Sequence, residues 1–340
     1  MARVTAQNKV DMRVPGDDQG GTGDLFAWLL DTSNPSARYL TLRDLFEDGE
    51  ADPAAAQAQA RIAQWGPVRE ILAAMHPEEF WGRFQRPFYG GALSTQATLN
   101  LLAELGVPTS PVLEAACEHL LQYGQHPNGG FAPDLSSEEA SLCYTGIAIR
   151  TLLHFGFAGD PRLERAFDYL VERANRPLGL RCTCWEAEMC GWGVTKALSA
   201  FAALPPATAT PERMRAAHTM ADTILDSLSD LGGRDARWLE LGFPLDYQSD
   251  LAELCDALAG LSGIDPLGDA RFSRLLDALL EIRSPEGWWV KSFGTRALQV
   301  ERLGSPSKWI TIRALRALCR SGRRAAATLR TLLRDERSDT

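Results

Sequence analysis

The sequence has no long apolar run and no excess of positive charge. None of its apolar stretches approaches the about 20 residues that a membrane-spanning helix needs. The first 23 residues are polar and glycine-rich and lack the apolar segment of a secretory signal, so we expect a flexible arm there. The formal net charge of −9 argues against a nucleic-acid partner, because nucleic acids bind to concentrated basic patches.

Cysteine is present in an odd number, which argues against a disulfide framework. Seven cysteines in a long chain without an export signal indicate reduced thiols in a cytoplasmic protein. What remains is an ordinary globular composition, with 45% hydrophobic and 23% charged residues. The 340 residues are enough for two domains or for one large repeat fold.

A glycine-aromatic phrase recurs along the chain. Its clearest copies are Gln125–Phe131 (Gln-His-Pro-Asn-Gly-Gly-Phe) and Ser284–Trp289 (Ser-Pro-Glu-Gly-Trp-Trp). Weaker copies are His76–Trp81 and Arg176–Leu180, and Gly232–Trp238 is a vestige. Successive early copies lie about fifty residues apart, a period that is typical of repeat architectures.

The copies are followed by an apolar helix and then by a charged amphipathic helix. The apolar helices are predicted at Ser94–Leu105, Leu142–Phe155, Gly191–Leu204, Tyr247–Leu261 and Lys308–Arg320. The amphipathic helices begin at a capping residue followed by proline, as in Ser110-Pro111, Asp160-Pro161 and Thr210-Pro211. A helix that is apolar all round is buried on both sides, whereas an amphipathic helix faces water. We therefore predict an all-α fold of successive hairpins in two concentric layers, with little or no sheet.

These turns resemble the QW-type repeats of squalene and terpene cyclases, which also occur in the β subunits of protein prenyltransferases. With the closing phrase Pro306-Ser307-Lys308-Trp309, the chain most resembles bacterial prenyltransferase/squalene-oxidase repeat proteins. The resemblance spans roughly residues 34–320. It implies an (α/α) toroid of about six hairpins around a central cavity, which receives an isoprenoid in the characterised members. We place the toroid at residues 24–325, between the arm at 1–23 and a polar tail at 326–340.

In such a toroid, the site is expected at the mouth where the inner helices begin. Polar and aromatic residues recur near the start of each predicted inner helix. The candidates to bind a small apolar or isoprenoid-like ligand are Tyr144, Cys143, Trp185, Trp192, Lys196, Phe243, Lys308, Trp309, Arg38 and Tyr39. The aromatic rings among these candidates could line an apolar or cation-stabilising pocket. Lys196, with Arg38 and Arg43, could bind a diphosphate or carboxylate. The alternative is an internal ion pair of Lys196, for which the possible partners are Glu188, Asp250 and Glu253.

The resemblance implies acid-initiated cyclisation or isomerisation, but the Asp-x-Asp-Asp motif of class II terpene cyclases is missing. We take Asp250 as the candidate proton donor and Tyr247 as its catalytic neighbour. Asp246 lies four residues earlier, on the same helix face if the helix already includes it. A lone acid in an aromatic cavity would have a raised pKa and could act as a general acid. The alternative is that Asp250 is an ordinary acid of the first helical turn, favoured by the helix dipole.

The sequence gives little support for a metal cofactor. The Asp-Asp-x-x-Asp motif that binds Mg²⁺ in class I synthases is missing, so ionisation of a diphosphate is not expected. Cys182, Cys184 and Cys190 could surround a zinc ion if a fourth ligand such as Cys143 or His126 joined them. Their spacing is not that of a standard zinc ribbon or finger. We expect no cofactor, and a zinc-dependent transferase-like site remains an alternative.

Two further functions remain open at this stage. The favoured one is a terpene-cyclase-like enzyme that acts on an isoprenoid or other apolar substrate in the central cavity. The alternative is a non-catalytic toroid that binds an apolar ligand or a protein partner. The enzyme and the non-catalytic toroid would have the same fold, so only the residues inside the ring can distinguish the two functions.

Overall fold

The structure is a computed structural model that describes residues 22–46, 49, 51–89, 93–183, 188–228, 230–265, 268–294 and 300–322. These ranges contain thirteen α-helices: α1 (Thr22–Leu29), α2 (Pro35–Leu45), α3 (Pro53–Ile62), α4 (Gly66–Ala73), α5 (Thr95–Glu104), α6 (Pro111–Gly124), α7 (Leu142–His154), α8 (Pro161–Asn175), α9 (Gly191–Ala202), α10 (Pro211–Ser227), α11 (Leu251–Gly260), α12 (Ala270–Glu281) and α13 (Lys308–Arg320). Strand-like pairing in the same ranges is confined to isolated bridges such as Gln125–Phe131. The predicted all-α class is confirmed. None of these helices is long and apolar enough to cross a membrane.

The helix starts follow the capping pattern of the sequence. Asn34, Asp52, Asp160 and Thr210 each accept a hydrogen bond from a backbone N–H of the first helical turn, and each precedes a proline. The side chain satisfies a donor that has no partner within the helix, and proline has no N–H to lose at this position. Most of the outer helices therefore begin where the sequence predicts.

The start of α11 was predicted wrongly. This helix begins at Leu251 instead of Tyr247, and Asp250 is its N-cap with an extended backbone (φ −133°, ψ 175°). Asp246 therefore lies before the helix and does not share a helix face with Asp250.

Six helices form the inner layer of the described chain, in the order α2, α5, α7, α9, α11 and α13. From α5 to α13 each packs against the next, and α13 packs against α2. The ring closes between α2 and α5, where Ser36 Oγ donates to Leu105 O at 2.8 Å. The outer helices α8, α10 and α12 pack against one another and against the inner helices. These contacts confirm a closed (α/α) toroid with two concentric layers.

A loop at residues 241–246, which we call the inner loop, crosses the interior of this ring. Asn100 Nδ2 donates to Leu245 O at 3.0 Å, although α5 and α11 lie on opposite sides of the ring. The start of the loop is held by Gly242 N–H, which donates to Asp250 Oδ2 at 2.8 Å. Leu241, Phe243 and Leu245 are almost fully buried. The inner loop therefore separates the mouth where the inner helices begin from the space near their C-terminal ends.

Three copies of the repeated turn share one backbone conformation. Glu79, Gly129 and Gly287 occupy the same place in them and have φ of 63°, 94° and 100°. Each donates its N–H to the carbonyl that opens the turn, at 2.8–3.0 Å. The aromatic residue that ends each turn donates its own N–H to a buried threonine of the next inner helix, in the pairs Trp81–Thr95, Phe131–Thr145 and Trp289–Thr311. The phrase is therefore a scaffold that joins the two layers.

Replacing Gly129 by alanine is expected to destabilise the protein more than replacing Gly287. Both substitutions place a Cβ in the left-handed region, at a cost of about 1–2 kcal/mol. At Gly129 the Cβ would also lie 2.7 Å from the backbone oxygen of Arg165, whereas the nearest atom at Gly287 is Leu25 Cδ2 at 3.4 Å. We expect the clash to add about 1–3 kcal/mol to the loss in the first variant. Urea denaturation followed by circular dichroism measures both losses, and equal losses would contradict the prediction.

Candidate functional site

A polar cavity of about 540 Å³ lies inside the ring, toward the C-terminal ends of the inner helices. All six inner helices contribute to its wall. Its charged lining consists of five arginines and three carboxylates: Arg43, Arg150, Arg313, Arg316, Arg320, Asp44, Glu104 and Asp256. We call it the arginine cavity. A cleft whose lining has an excess of positive charge attracts anions.

Buried ion pairs link the helices on one side of the arginine cavity. Lys196 Nζ lies 2.8 Å and 2.9 Å from the two carboxylate oxygens of Glu253, and both side chains are buried. Arg150 lies 2.9 Å from Glu104 and 3.4 Å from Glu253. Burial opposes ionisation of Glu253, but the charges of Lys196 and Arg313 outweigh it and lower its pKa. Lys196 therefore forms the internal ion pair that the sequence left as an alternative.

A second ion-pair cluster closes the ring between α11, α13 and α2. Arg316 lies 2.5 Å from Asp256 and 2.6 Å from Asp44. Arg43 contacts Asp44 through two hydrogen bonds of 2.5 Å and 2.9 Å. Burial would raise the pKa of Asp44, but Arg316 and Arg43 lower it to about 2. The arginines of this cluster are thus engaged by carboxylates of the protein.

Arg313 is different, because its donors are not fully used. Its side chain is 7% exposed; Nη2 lies 3.7 Å from Glu104 and Nη1 lies 3.8 Å from Asp250. These distances are too long for hydrogen bonds. Nη1 is buried and has no hydrogen-bond partner among the described residues. A buried donor without an acceptor costs about 1–3 kcal/mol, and more if charged. Arg313 is thus placed to receive an acceptor atom from a ligand.

Asp250, the predicted proton donor, is fully buried at the start of α11. Oδ1 accepts from the N–H of Glu253 and Oδ2 accepts from the N–H of Gly242, each at 2.8 Å. Burial raises the pKa of Asp250, although Arg313 and the two backbone donors act against this. The carboxyl thus has the raised pKa that a general acid needs, but both oxygens hold the inner loop and the helix end together.

Aromatic residues do meet at the mouth where the inner helices begin. The ring of Tyr144 lies 6.5 Å from that of Tyr247, which lies 6.0 Å from that of Trp192. Phe88 packs edge-on against Tyr144 at 5.0 Å, and the guanidinium of Arg237 lies 5.0 Å above Trp192. Cys143 is half-buried on the first turn of α7. The structure thus brings four of the predicted residues to one mouth, and Tyr247 is 39% exposed there.

Phe243 of the inner loop and Trp309 of α13 lie against the arginine cavity. Their rings stack at 4.8 Å with an interplanar angle of 2°. Trp309 also lies 6.0 Å from Trp65, and its Nε1 donates to Ser36 Oγ at 3.2 Å. Both stacked residues line the cavity, so they give it an apolar wall beneath the arginines.

The structure places three other predicted ligand residues away from this cavity. Lys308 donates to the carbonyl of Trp28 at 2.5 Å and so ties α13 to α1. Arg38 donates to Leu30 O at 2.6 Å. The hydroxyl of Tyr39 accepts from Gln59 Nε2 at 3.0 Å, on the side of α3. These side chains connect α1, α2 and α3 instead of facing the cavity.

The segment before α13 holds a carboxyl that titrates near neutrality. Burial raises the pKa of Glu301 from 4.5 to about 7, although Ser307, Lys308 and Lys291 act against it. Oε1 accepts from the N–H of Lys308 at 2.7 Å, whereas Oε2 has no hydrogen-bond partner in the ranges that the structure describes.

The stability of the protein is expected to fall as the pH rises from 4.5 to about 7. The folded state binds the Glu301 proton more tightly than the unfolded chain, so this contribution is present at low pH and lost above the folded pKa. The slope is at most about 1.4 kcal/mol per pH unit. Urea denaturation across this range should show that Glu301→Gln reduces the slope, to which the raised pKa of buried Asp250 also contributes. If the unfolding free energies of the wild type and of Glu301→Gln change equally with pH, Glu301 is not the source of the slope.

The cysteine cluster is only partly described. Cys190 is the N-cap of α9, and its Sγ accepts from the N–H of Gly193 at 3.3 Å. Cys182 is half-buried, and Cys184 and Trp185 lie outside the described residues. Among the described residues there is no group of three or more histidine, cysteine, aspartate and glutamate side chains that could hold a metal ion. The zinc site therefore stays a prediction without structural support.

Sequence reasoning missed the main residues of the arginine cavity. Glu104 and Arg150 are isolated charges on α5 and α7, and we had not singled them out. Arg313 shares α13 with Lys308, Arg316 and Arg320, a basic cluster that the sequence favours as a solvated helix end. The isolation of Glu104 and Arg150 was the available signal, because a charge on a buried helix needs a partner or a ligand. It shows which residues turn inward, but it does not show which of them lacks a partner.

No family model matches the chain, and no curated protein matches it either. Similar solved structures include a protein from Actinoplanes, with 19% identity, a TM-score of 0.45, and coverage of 86% of this chain and 90% of that chain. Type II terpene cyclase MstE from Scytonema, in complex with geranylgeranyl dihydroxybenzoate, has 16% identity, a TM-score of 0.43, and coverage of 88% and 78%. A UGL variant, described with dGlcA-Glc-Rha-Glc, has 13% identity, a TM-score of 0.44, and coverage of 88% and 87%. At these identities the function has to be argued from the site itself.

Proposed function

We propose that this toroid binds a small anionic ligand in the arginine cavity. The observation that supports this most strongly is Arg313, a buried guanidinium that lines the cavity and whose Nη1 lacks a hydrogen-bond partner among the described residues. Arg150 and Arg316 are held by carboxylates at 2.9 Å and 2.6 Å, whereas the carboxylates nearest Arg313 in the described ranges lie 3.7 Å and 3.8 Å away. A carboxylate or phosphate group suits the planar fork of an arginine, which binds two oxygens at once.

The same cavity is a poor match for a pure hydrocarbon. An isoprenoid chain without a charged group would displace water from ionised side chains and offer them no hydrogen bonds in return, which is unfavourable. The stacked pair Phe243 and Trp309 can still pack against an apolar part of the ligand. The expected isoprenoid-like ligand would therefore have to carry an anionic group.

Calorimetric titration of the full chain tests this proposal. Hexanoate is a suitable anionic probe, and hexanol is its neutral counterpart. We expect the protein to bind hexanoate and not hexanol, and we expect Arg313→Met to lose this binding. Arg271→Met is the matched control, because Arg271 is paired with Asp222 and Asp226 on the outer layer. If the wild-type protein prefers hexanol, or if Arg313→Met binds hexanoate as well as the control does, the proposal fails.

A second candidate function is acid-initiated cyclisation or isomerisation of an isoprenoid, with Asp250 as the proton donor. The raised pKa of this buried carboxyl favours it. The aromatic rings of Tyr247, Tyr144 and Trp192 would then face the carbocation. Asn at this position keeps a capping oxygen but has no acidic proton. Incubation with geranylgeranyl diphosphate should yield a product with the wild-type protein and none with Asp250→Asn. Equal turnover would exclude this mechanism, and a lack of product with either protein would favour a non-catalytic toroid.

A further inference from the structure

Glu104, which lines the arginine cavity, carries a second polar atom without a hydrogen-bond partner among the described residues. Its side chain is 3% exposed and lines the cavity beside Arg313. Oε1 is taken by Arg150 Nη2 at 2.9 Å. Oε2 is buried and has no hydrogen-bond partner in the described part of the chain. Glu104 and Arg313, which approach each other to 3.7 Å on the cavity wall, therefore carry one unused acceptor and one unused donor among the described residues.

Arg150 determines which carboxylate oxygen of Glu104 remains without a hydrogen-bond partner. It binds Glu104 at 2.9 Å and is itself held by Glu253 at 3.4 Å, so the guanidinium bridges two carboxylates. Arg313 Nη2 faces the same Oε1 from 3.7 Å. With cations on the Oε1 side, Oε2 is the oxygen that remains for a ligand. Arg150 is thus a positioning residue for Glu104.

This arrangement selects against a plain anion. A carboxylate or phosphate bound to Arg313 comes close to the Glu104 carboxylate, which repels it. A hydroxyl group beside the anionic group of the ligand would turn this repulsive contact into a hydrogen bond to a charged acceptor. Such bonds are the stronger kind, and a site built to receive them rejects analogues that lack the hydroxyl.

We infer that the ligand is a small hydroxylated organic anion, whose anionic group accepts from Arg313 and whose hydroxyl donates to Glu104 Oε2. This inference rests on the proposed function and names its ligand class. The volume of about 540 Å³ is within the usual range of small-molecule sites, and it is ample for a six-carbon chain. The paired Phe243 and Trp309 rings cover the apolar side of such a chain.

Matched probes separate the hydroxyl from the charge. Gluconate carries a carboxylate and hydroxyls, hexanoate carries the carboxylate alone, and sorbitol carries the hydroxyls alone. Calorimetric titration of the full chain should show gluconate binding at least about tenfold more tightly than hexanoate, the factor for one hydrogen bond to a charged group. Sorbitol should not bind. Glucose 6-phosphate tests the other anionic group, and if it exceeds gluconate the anion is a phosphate ester.

The ratio of gluconate to hexanoate affinity is the readout in the variants. Glu104→Met removes the acceptor and should bring this ratio close to one, while hexanoate still binds because Arg313 remains. Glu104→Gln is the conservative variant if the methionine variant does not fold. This variant keeps the shape of the Glu104 side chain without its charge. Its ratio of gluconate to hexanoate affinity should therefore lie between those of the wild type and of Glu104→Met. Arg313→Met should lose both anions, and Arg271→Met should behave as the wild type.

The outcomes distinguish this inference from the proposed function. If the wild-type protein binds gluconate and hexanoate equally and Arg313→Met loses both, the hydroxyl contact is wrong and the anion site stands. If the preference for gluconate survives in Glu104→Met, the hydroxyl is bound elsewhere and the inference fails. If neither anion nor glucose 6-phosphate binds, both proposals fail together.

Discussion

Replacing Lys196 by methionine is expected to destabilise the protein by about 3–5 kcal/mol, the range for removing one partner of a buried ion pair. Glu253 is only 2% exposed and receives two hydrogen bonds from Lys196. Without Lys196 its nearest cation is Arg150 at 3.4 Å, so a buried carboxylate loses most of its compensation. Guanidinium chloride denaturation followed by circular dichroism measures the loss.

A double variant provides the control for this prediction. In Lys196→Met/Glu253→Leu the buried charges are replaced by apolar side chains, and such replacements are often neutral or stabilising. We therefore expect the double variant to recover most of the stability that the single variant loses. Arg150 keeps Glu104 as a partner in both proteins. A loss below about 1 kcal/mol in the single variant, the value of an exposed pair, would show that Glu253 is in contact with water.

Two buried arginines are expected to differ in how much the same substitution destabilises the protein. Arg173 is 1% exposed and fully engaged: it donates to Gly179 O, to Arg181 O at 2.9 Å and to Tyr169 Oη at 2.6 Å. Arg173→Met should therefore cost about 3 kcal/mol or more, because several buried acceptors lose their donor. Arg313→Met should cost less, because Nη1 has no acceptor among the described residues and the carboxylates of Glu104 and Asp250 lie 3.7 Å and 3.8 Å away, so that charge compensation is lost but no close hydrogen bond.

The contrast matters because it separates a structural arginine from one kept for binding. A residue that is held for function is often neutral or unfavourable for stability. Unfolding free energies of the two variants, measured in the same buffer without added anions, decide the matter. A loss in Arg313→Met as large as that in Arg173→Met would mean that Arg313 is a structural residue, and the ligand proposal would lose its basis.

The local parts of this fold could be read from the sequence. A capping residue followed by proline sets the starts of α3, α8 and α10. The capping side chain accepts a hydrogen bond from a backbone N–H of the first turn, and proline has no N–H that would need a partner there. The repeated turns were recognised from their glycines, although Glu79 shows that the left-handed position does not always carry one. Each of these features depends on a few adjacent residues, so no knowledge of distant contacts is needed.

The interior of the ring depends on contacts between distant residues, and there the sequence was insufficient. The inner loop is held by a hydrogen bond from Asn100 across the ring and by one from Phe243 N–H to Phe293 O, and neither contact can be read from the sequence. The Lys196–Glu253 pair was one of several possible pairings, and its choice follows from the packing of α9 on α11. Whether Arg313 has a partner is decided by the positions of Glu104 and Asp250 on two other helices.

The aromatic mouth and the arginine cavity therefore stand as two separate proposals. Tyr144, Trp192 and Tyr247 were placed together correctly, and their catalytic use with Asp250 stays a prediction. Phe243, which is part of the inner loop, and Trp309 line the arginine cavity instead. A ligand that occupies one of these spaces is separated from the other by the buried residues of the loop.

Native mass spectrometry of the protein as purified tests most directly whether the toroid holds an anionic ligand on Arg313. We expect the wild-type protein to carry one small hydroxylated anion per chain, and we expect Arg313→Met to carry none. Arg271→Met, with its substitution on the outer layer, should retain the anion. An uncharged isoprenoid retained equally by all three proteins would contradict the assignment of the arginine cavity as the ligand site.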